Sequence, residues 1–332
     1  MEPFNRNYGT VGLAVRRARR SSPPQANERL PPGVQEVLLR GGCHIGKLND
    51  KIVLKYGSDL NDQGLQISIK IEKCILQIIG PHPRIIQSMG LVEDGLILKY
   101  YPNGTLHKYI EAHPDETLER RLEWCKQLVD TLSFVHSKRV IHCDICLYNM
   151  LLDENFNIIL ADFQGLLLSS VTGLPLLDGM TRESAKGYMP REHPYVVNVQ
   201  TDLFAVGSAI YHIMAGHEVF PELDSFHDED AIAARFVNED FPNNDDYVAS
   251  HIVEKCWRGE YSSAAEISAD IAAVQADAED VGKQLKQLDV EMEFKDDYEQ
   301  YEDEEEEAEY DEEEDAEYEY EDEEDDEDEE VL

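Results

Sequence analysis

Between Val140 and Gly165 the chain gathers side chains suited to chemistry: His142, Asp144 and Asn149, then Asp162 followed by Phe163. Two apolar runs, Asn149 to Leu152 and Asn157 to Ala161, flank the turn-forming Asp153-Glu154-Asn155. That is the pattern of a small hairpin. A hairpin brings its two ends together, so one carboxylate, one amide and a second carboxylate converge at the mouth of a cleft. Such an oxygen-rich set can orient a proton and hold a cation; the plain alternative is a chance hairpin carrying surface Asp and Asn. Upstream, Lys55 ends the apolar run from Lys51, and Glu72 follows 17 residues later in a stretch whose Ile75, Ile78 and Ile79 have helical spacing. Shielded in a cleft, such a pair fixes an ammonium in one position. Taken singly, each is as readily a solvated surface charge.

Together these residues resemble the motifs of the eukaryotic protein kinases. His142-x-Asp144-x-x-x-x-Asn149 is similar to the catalytic loop H-R-D-L-x-x-x-N, and Asp162-Phe163 to the start of D-F-G. Lys55 resembles the strand lysine of V-A-I-K, and Glu72-x-x-Ile75-Leu76 with His82-Pro83 resembles the αC helix and the turn after it. The resemblance runs from Val34 to Gln275 and is strongest to short, divergent kinase-like proteins of fungi. It rests there on the brief glycine loop, the run from Cys43 through Asp50 to Lys55, and the helix Gly207 to Glu218.

The resemblance implies an α+β, two-lobed kinase-like fold, with a small β-rich lobe over 34–101 and a mostly helical lobe over 102–275. It implies ATP and Mg²⁺ as cofactors and a protein substrate whose hydroxyl, Ser/Thr by default, receives the γ-phosphoryl group. Phosphoryl transfer asks little covalent chemistry of the protein, so the site must position groups and neutralise charge. Lys55 and Glu72 are then expected to position the α/β-phosphates, Asp144 to act as base, and Asn149 with Asp162 to hold the metal. Gly42 belongs to the phosphate-covering loop. Leu98 takes the gatekeeper position, and backbone of Lys99, Tyr100 and Tyr101 faces the adenine edge. Asp202 is expected to bond backbone of the catalytic loop.

The sequence departs from the family pattern in four places. Gly41-Gly42-Cys43-His44 stands in for G-x-G-x-x-G, and fewer backbone N–H groups can cradle phosphate. Cys143 replaces the arginine of H-R-D, which removes the usual pocket for a phosphate on Thr181 or Ser184. Cys146 occupies the place of a catalytic-loop lysine, and a unit charge about 4 Å away is worth up to about 4 kcal/mol at an effective dielectric near 20. Gln164 replaces the glycine of D-F-G and restricts the backbone there. These departures keep two further readings open: a pseudokinase scaffold, and a binder of basic proteins acting through an acidic tail. Cys143 and Cys146 also form C-x-x-C, but no second pair completes a zinc site.

The elements that must position these groups follow from periodicity. Val34 to Leu39 and Lys51 to Lys55 are expected strands, with a glycine-containing turn over 41–46. Gly90 to Tyr101 is a hairpin turning at Asp94-Gly95. A helix over 118–137 puts Trp124, Leu128, Leu132 and Val135 on one face. An irregular segment runs from Gly165 to Arg191 and closes with Glu192 in the position of the A-P-E glutamate. The almost wholly apolar run Thr201 to Gly216 is a buried helix ending at glycine. Val248 to Tyr261, with Cys256-Trp257, follows, and Ser263-x-x-Glu266 opens a last helix to about Leu288 as a capping box.

Of the 70 acidic residues, 30 fall between Asp289 and Leu332 beside a single lysine; residues 1–288 carry 40 acids and 28 bases. The charge of −41 is therefore mostly a tail, expected to be disordered over 289–332 after a helical extension over 276–288. Residues 1–33, with Pro pairs and the cluster Arg16-Arg17-Ala18-Arg19-Arg20, are expected to be a disordered basic arm. That cluster is a nuclear-import signal or simply a solvated arm. Scattered cysteines, no long apolar run and no basic face on the folded part suit the cytoplasm or nucleus, with neither membrane nor direct nucleic-acid binding.

Overall fold

The computed structural model describes residues 30–59, 62–242 and 247–284. Contacts divide the chain into two units, Met1–Gln275 and Ala276–Leu332.

The first unit begins with a five-stranded antiparallel sheet in the order β1-β2-β3-β5-β4. Its strands are β1 (Glu36–Leu39), β2 (Cys43–Lys47), β3 (Ile52–Gly57), β4 (Ser88–Val92) and β5 (Gly95–Lys99). Register sets Lys55 opposite Ile45 on one side and Leu96 on the other. Gly95 (φ 155°) lies against the Lys55 carbonyl, so any side chain there would collide with the strand that carries the lysine. Helix α1 (Gln63–Ile79) packs on this sheet. Asp62 caps it by accepting from the Gly64 and Leu65 N–H groups, and Ile69, Ile75, Leu76 and Ile79 supply its buried stripe.

The helical region starts at α2 (Leu106–Ala112) and α3 (Leu118–Ser137). Trp124, Leu128, Leu132 and Val135 of α3 are all fully buried, as their spacing requires. Two polar anchors fix α3 to the hairpin of β7 (Met150–Leu152) and β8 (Ile158–Leu160): Trp124 Nε1 donates to Phe156 O, and Gln127 Oε1 accepts from Ile158 N. Helix α4 (Val199–Ala215) is buried at every position from Thr201 to Met214. Asn198 and Thr201 form its capping box, and Gly216, left-handed at φ 83°, ends it. Around α4 lie α5 (Glu229–Val237), α6 (Ser250–Trp257) and a helix beginning at 264. Among the described residues no helix is long and apolar enough to cross a membrane.

Several expectations change. Cys43–Lys47 is a strand, which confines the glycine turn to the residues between β1 and β2. Cys43 to Lys47 alternates half-buried with buried residues, a period of two that the surrounding glycines mask in the sequence. The segment after Gly165 is not irregular throughout: β9 (Leu166–Leu168) pairs with both β6 (Val140–Ile141) and β10 (Pro175–Asp178). Glu266 reaches the Ser262 N–H (2.8 Å), one residue before the expected cap. Of the expected basic arm, residues 1–29 lie outside the described residues, but Pro31 is buried and its carbonyl accepts from Val34 N–H, so 30–33 belong to the fold.

In the second unit, residues 276–284 are helical. The acidic tail expected over 289–332 lies outside the described residues.

Candidate functional site

The site is built around α4. Asp202, in its first turn and fully buried, accepts from two successive backbone N–H groups: His142 N to Oδ2 (2.8 Å) and Cys143 N to Oδ1 (2.9 Å). His136 Nε2 adds a contact at 2.9 Å. These bonds hold Cys143 at φ 67°, a left-handed conformation that a residue other than glycine seldom takes. The loop then turns through Asp144 and Cys146 into a 3-10 turn (Leu147–Asn149) that enters β7.

Within this loop Asn149 donates both amide hydrogens to Asp144, one to its carbonyl and one to Oδ2, each at 2.8 Å. The amide oxygen of Asn149 is left as the atom for a hard cation. The Cys146 thiol lies 3.9 Å from Asp144 Oδ1. His142 bonds Ala161 O (3.0 Å) and meets the Phe163 ring edge-on, fixing this loop to the Asp162 strand end. Asp162 also has a positive φ, 66°.

Across the cleft, the Lys55 ammonium sits between two carboxylates, Glu72 Oε2 at 2.6 Å and Asp162 Oδ1 at 2.7 Å. Burial opposes its charge, but Asp162 and then Glu72 raise the ammonium well above its ordinary range, so it stays protonated. For Glu72, which is completely buried, burial pushes the carboxyl up against the pull of Lys55. Glu72 Oε1 also accepts from Phe163 N–H (3.3 Å), so α1, β3 and the Asp162-Phe163 turn close on one charge cluster. Asp144, Asn149, Asp162, Lys55 and Glu72 are thus drawn into one connected arrangement from five places in the sequence.

Comparison with known proteins bears on the fold that carries this arrangement. Residues 45–274 match the model of the protein kinase domain. The chain belongs to the protein kinase family. It is 28% identical to Aurora kinase C of Mus musculus over 231 residues, 66% of this chain and 80% of that protein. It is 28% identical to the serine/threonine-protein kinase PLK4 of Drosophila grimshawi over 193 residues, 53% of this chain but 24% of that one. With the receptor-like protein kinase HERK 1 of Arabidopsis thaliana it shares 31% over 195 residues, 54% of this chain and 23% of that protein.

Within this kinase fold the remaining assigned positions fall as follows. Leu98 is buried in β5. Lys99 N–H donates to Gln87 O (2.9 Å) and Tyr100 N–H to Lys51 O (2.8 Å), so those two donors serve the sheet and not an adenine edge. Gly42 stands just before β2, its carbonyl bonded to Ser58 N–H, and Gly41 N–H is taken up by His44 Nδ1. The expected restraint at Gln164 is not felt: the left-handed φ falls on Asp162, and the crowded glycine is Gly165, whose Cβ would strike the carbonyls of Ile141 and His142. Glu192 is exposed, and Glu183 of its segment forms a buried ion pair with Arg191 at 2.9 Å. Cys143 and Cys146 point to different surroundings, Cys143 donating to Ile141 O and Cys146 facing Asp144.

Sequence reasoning paired Lys55 with Glu72 alone and missed its direct contact with Asp162; the two residues are 107 apart and no local signal links them. It also missed the contact of Gln164 Nε2 with the Cys43 sulfur (3.8 Å), which ties the turn after Asp162 to the start of β2. Burial, chiefly, raises that thiol above its ordinary value.

Proposed function

We propose that this protein is an ATP-dependent protein kinase that transfers the γ-phosphoryl group to a protein hydroxyl, Ser or Thr by preference. The observation that carries this reading is the Lys55–Glu72–Asp162 cluster, assembled within the same unit as the Asp144–Asn149 loop. Residues present fit the group they would hold: the Asn149 amide oxygen and the Asp162 carboxylate are hard oxygen donors of the kind Mg²⁺ takes. Lys55 supports the reading as a permanently charged donor for phosphate oxygens, Glu72 as the residue that aims it. Asp144, oriented by Asn149, is placed in the reading as the acceptor of the substrate hydroxyl proton. When bound, Mg·ATP supplies the phosphoryl group and the metal's neutralising charge. The serine/threonine label carried by a relative such as PLK4 supports the substrate preference. Six free thiols suit a reducing compartment, the cytoplasm or nucleus.

A second reading, a nucleotide-binding scaffold without turnover, is favoured by one observation: Cys146 puts a thiol, not a cation, beside Asp144. Thermal unfolding of the full chain with and without Mg·ATP, beside Asp162→Ala, tests the nucleotide step. At about 100 times its dissociation constant a ligand adds roughly 2.7 kcal/mol of stability. A Mg²⁺-dependent rise in Tm that disappears in Asp162→Ala is the expected result, followed by phosphoryl transfer to a mixed Ser/Thr peptide library. No rise at any concentration removes both the kinase and the nucleotide-binding scaffold. A rise without transfer leaves the scaffold.

A further inference from the structure

The catalytic loop lacks a cation at Cys146, yet a lysine lines the same cavity. Between α4 and the loop is a cavity of about 20 Å³, lined among others by Cys146, Ser184, Lys186, His212 and Glu218. That volume holds about one water molecule. Cys146, whose thiol lies 3.9 Å from Asp144 Oδ1, and Lys186 thus line one and the same small cavity. Lys186 sits in a 3-10 turn (Ala185–Gly187) packed on α4, is buried, and pairs with Glu218 at 3.0 Å.

An ammonium has three donors and a long, rotatable stem. Glu218 is the partner of Lys186 among the described residues. The other basic side chain lining the cavity, His212, carries no charge near neutral pH: burial, with His107, His217 and Lys186 nearby, holds it down at about 3. Lys186 is thus the charged cation of this cavity, and it comes from the chain segment that follows the Asp162 turn and not from the catalytic loop.

We propose that Lys186 supplies, across the cavity it shares with Cys146, the positive charge that the catalytic loop lacks, leaving Glu218 to meet the terminal phosphate beside Asp144. This rests on the kinase reading above. The ammonium forms and breaks hydrogen bonds only; it gives up no proton and forms no covalent bond. A charge so placed acts on the γ-phosphate and not on the α/β-phosphates that Lys55 faces, so it separates ATP from ADP and raises kcat more than it lowers KM. Glu218 is its resting partner, and Tyr148 bonds the same carboxylate.

The experiment uses the full chain and four variants: Lys186→Met, Lys186→Arg, Glu218→Gln and the double variant Cys146→Lys/Lys186→Met. Mg·ATP and Mg·ADP affinities are measured by calorimetry, and kcat and KM for ATP with the peptide library. Lys186→Met should lower kcat about a hundredfold, as removal of one preorganised donor does, and lose about tenfold of the preference for ATP over ADP. The double variant should recover both, Lys186→Arg should keep most of both, and Glu218→Gln should lose neither. A purely structural Lys186–Glu218 pair predicts instead that Lys186→Met and Glu218→Gln behave alike and that lysine at 146 rescues nothing; that pattern overturns the proposal. So does an unchanged ATP-over-ADP preference in Lys186→Met, a readout that holds even in a chain without turnover. If the unaltered chain binds neither nucleotide, the kinase reading itself has failed and the proposal goes with it. Wild-type binding with an unresponsive Lys186→Met overturns the proposal alone.

Discussion

Removing Lys55 should cost more than removing Glu72, and removing both should cost little more than removing Glu72 alone. Lys55 lies between two carboxylates of unequal exposure: the Glu72 side chain is 0% exposed and that of Asp162 29%. Lys55→Met leaves Glu72 as an unpaired charge with no route to water. Breaking a buried pair from one side costs about 3–5 kcal/mol, and we expect about 4 kcal/mol. Glu72→Gln leaves Lys55 its partner Asp162 at 2.7 Å and keeps an oxygen for Phe163 N–H, so about 1–2 kcal/mol is expected. In the double variant no buried charge is stranded and Asp162 turns to solvent. Its cost should stay near about 2 kcal/mol, a coupling of roughly 3–4 kcal/mol between the two sites. Urea unfolding of the full chain reads these as shifts in midpoint at constant slope. There is also a pH signature. Glu72 already sits above its ordinary 4.5, and without Lys55 its main opposing pull is gone. The folded variant then binds a proton that the unfolded chain releases, so its deficit should shrink as pH is lowered from 7 toward 5. Additive costs, or a deficit indifferent to pH, would refute the idea that Lys55 is chiefly the neutraliser of Glu72.

His212 is depressed from an ordinary 6.5 to about 3, chiefly by burial. The unfolded chain takes up a proton that the folded one refuses, so this contribution is intact above pH 6.5 and is lost as pH falls toward 3. Between pH 7 and 5 the loss is about 2 kcal/mol; His212→Gln should flatten the stability profile by that amount relative to the unaltered chain, and parallel profiles would contradict it. Cys143→Arg, which restores the residue the family pattern has there, should destabilise by about 2 kcal/mol or more. The side chain is 0% exposed among Ile141, Leu166 and Val197, with no room for a guanidinium. Unchanged urea midpoints would show that the pocket can open.

Much of the fold was legible where one signal dominated. Leu118–Ser137 and Val199–Ala215 announce themselves because long apolar periodicity meets clear caps, and the hairpin of β7 and β8 because its turn residues separate two short apolar runs. Helices α2 and α5 were missed: they are short, and polar and apolar residues mix on them without a strong stripe. Strand β2 was hidden by glycines at its flank and centre. Among the candidate site residues, those tied to a local motif were legible in the sequence. Lys186 was not, because nothing in the stretch around it links a lysine there to a thiol forty residues earlier; only the cavity does.

The way Asp202 holds the catalytic loop has an evolutionary consequence. Its carboxylate grips two peptide N–H groups, which every residue but proline offers. The path of the loop is thereby held through its backbone. An arginine could give way to Cys143, and a lysine to Cys146, without the scaffold registering either change as a loss of support. Such a loop can drift in composition while its path through space stays put, which lets a divergent sequence explore new ways of placing charge around an old arrangement of carboxylates.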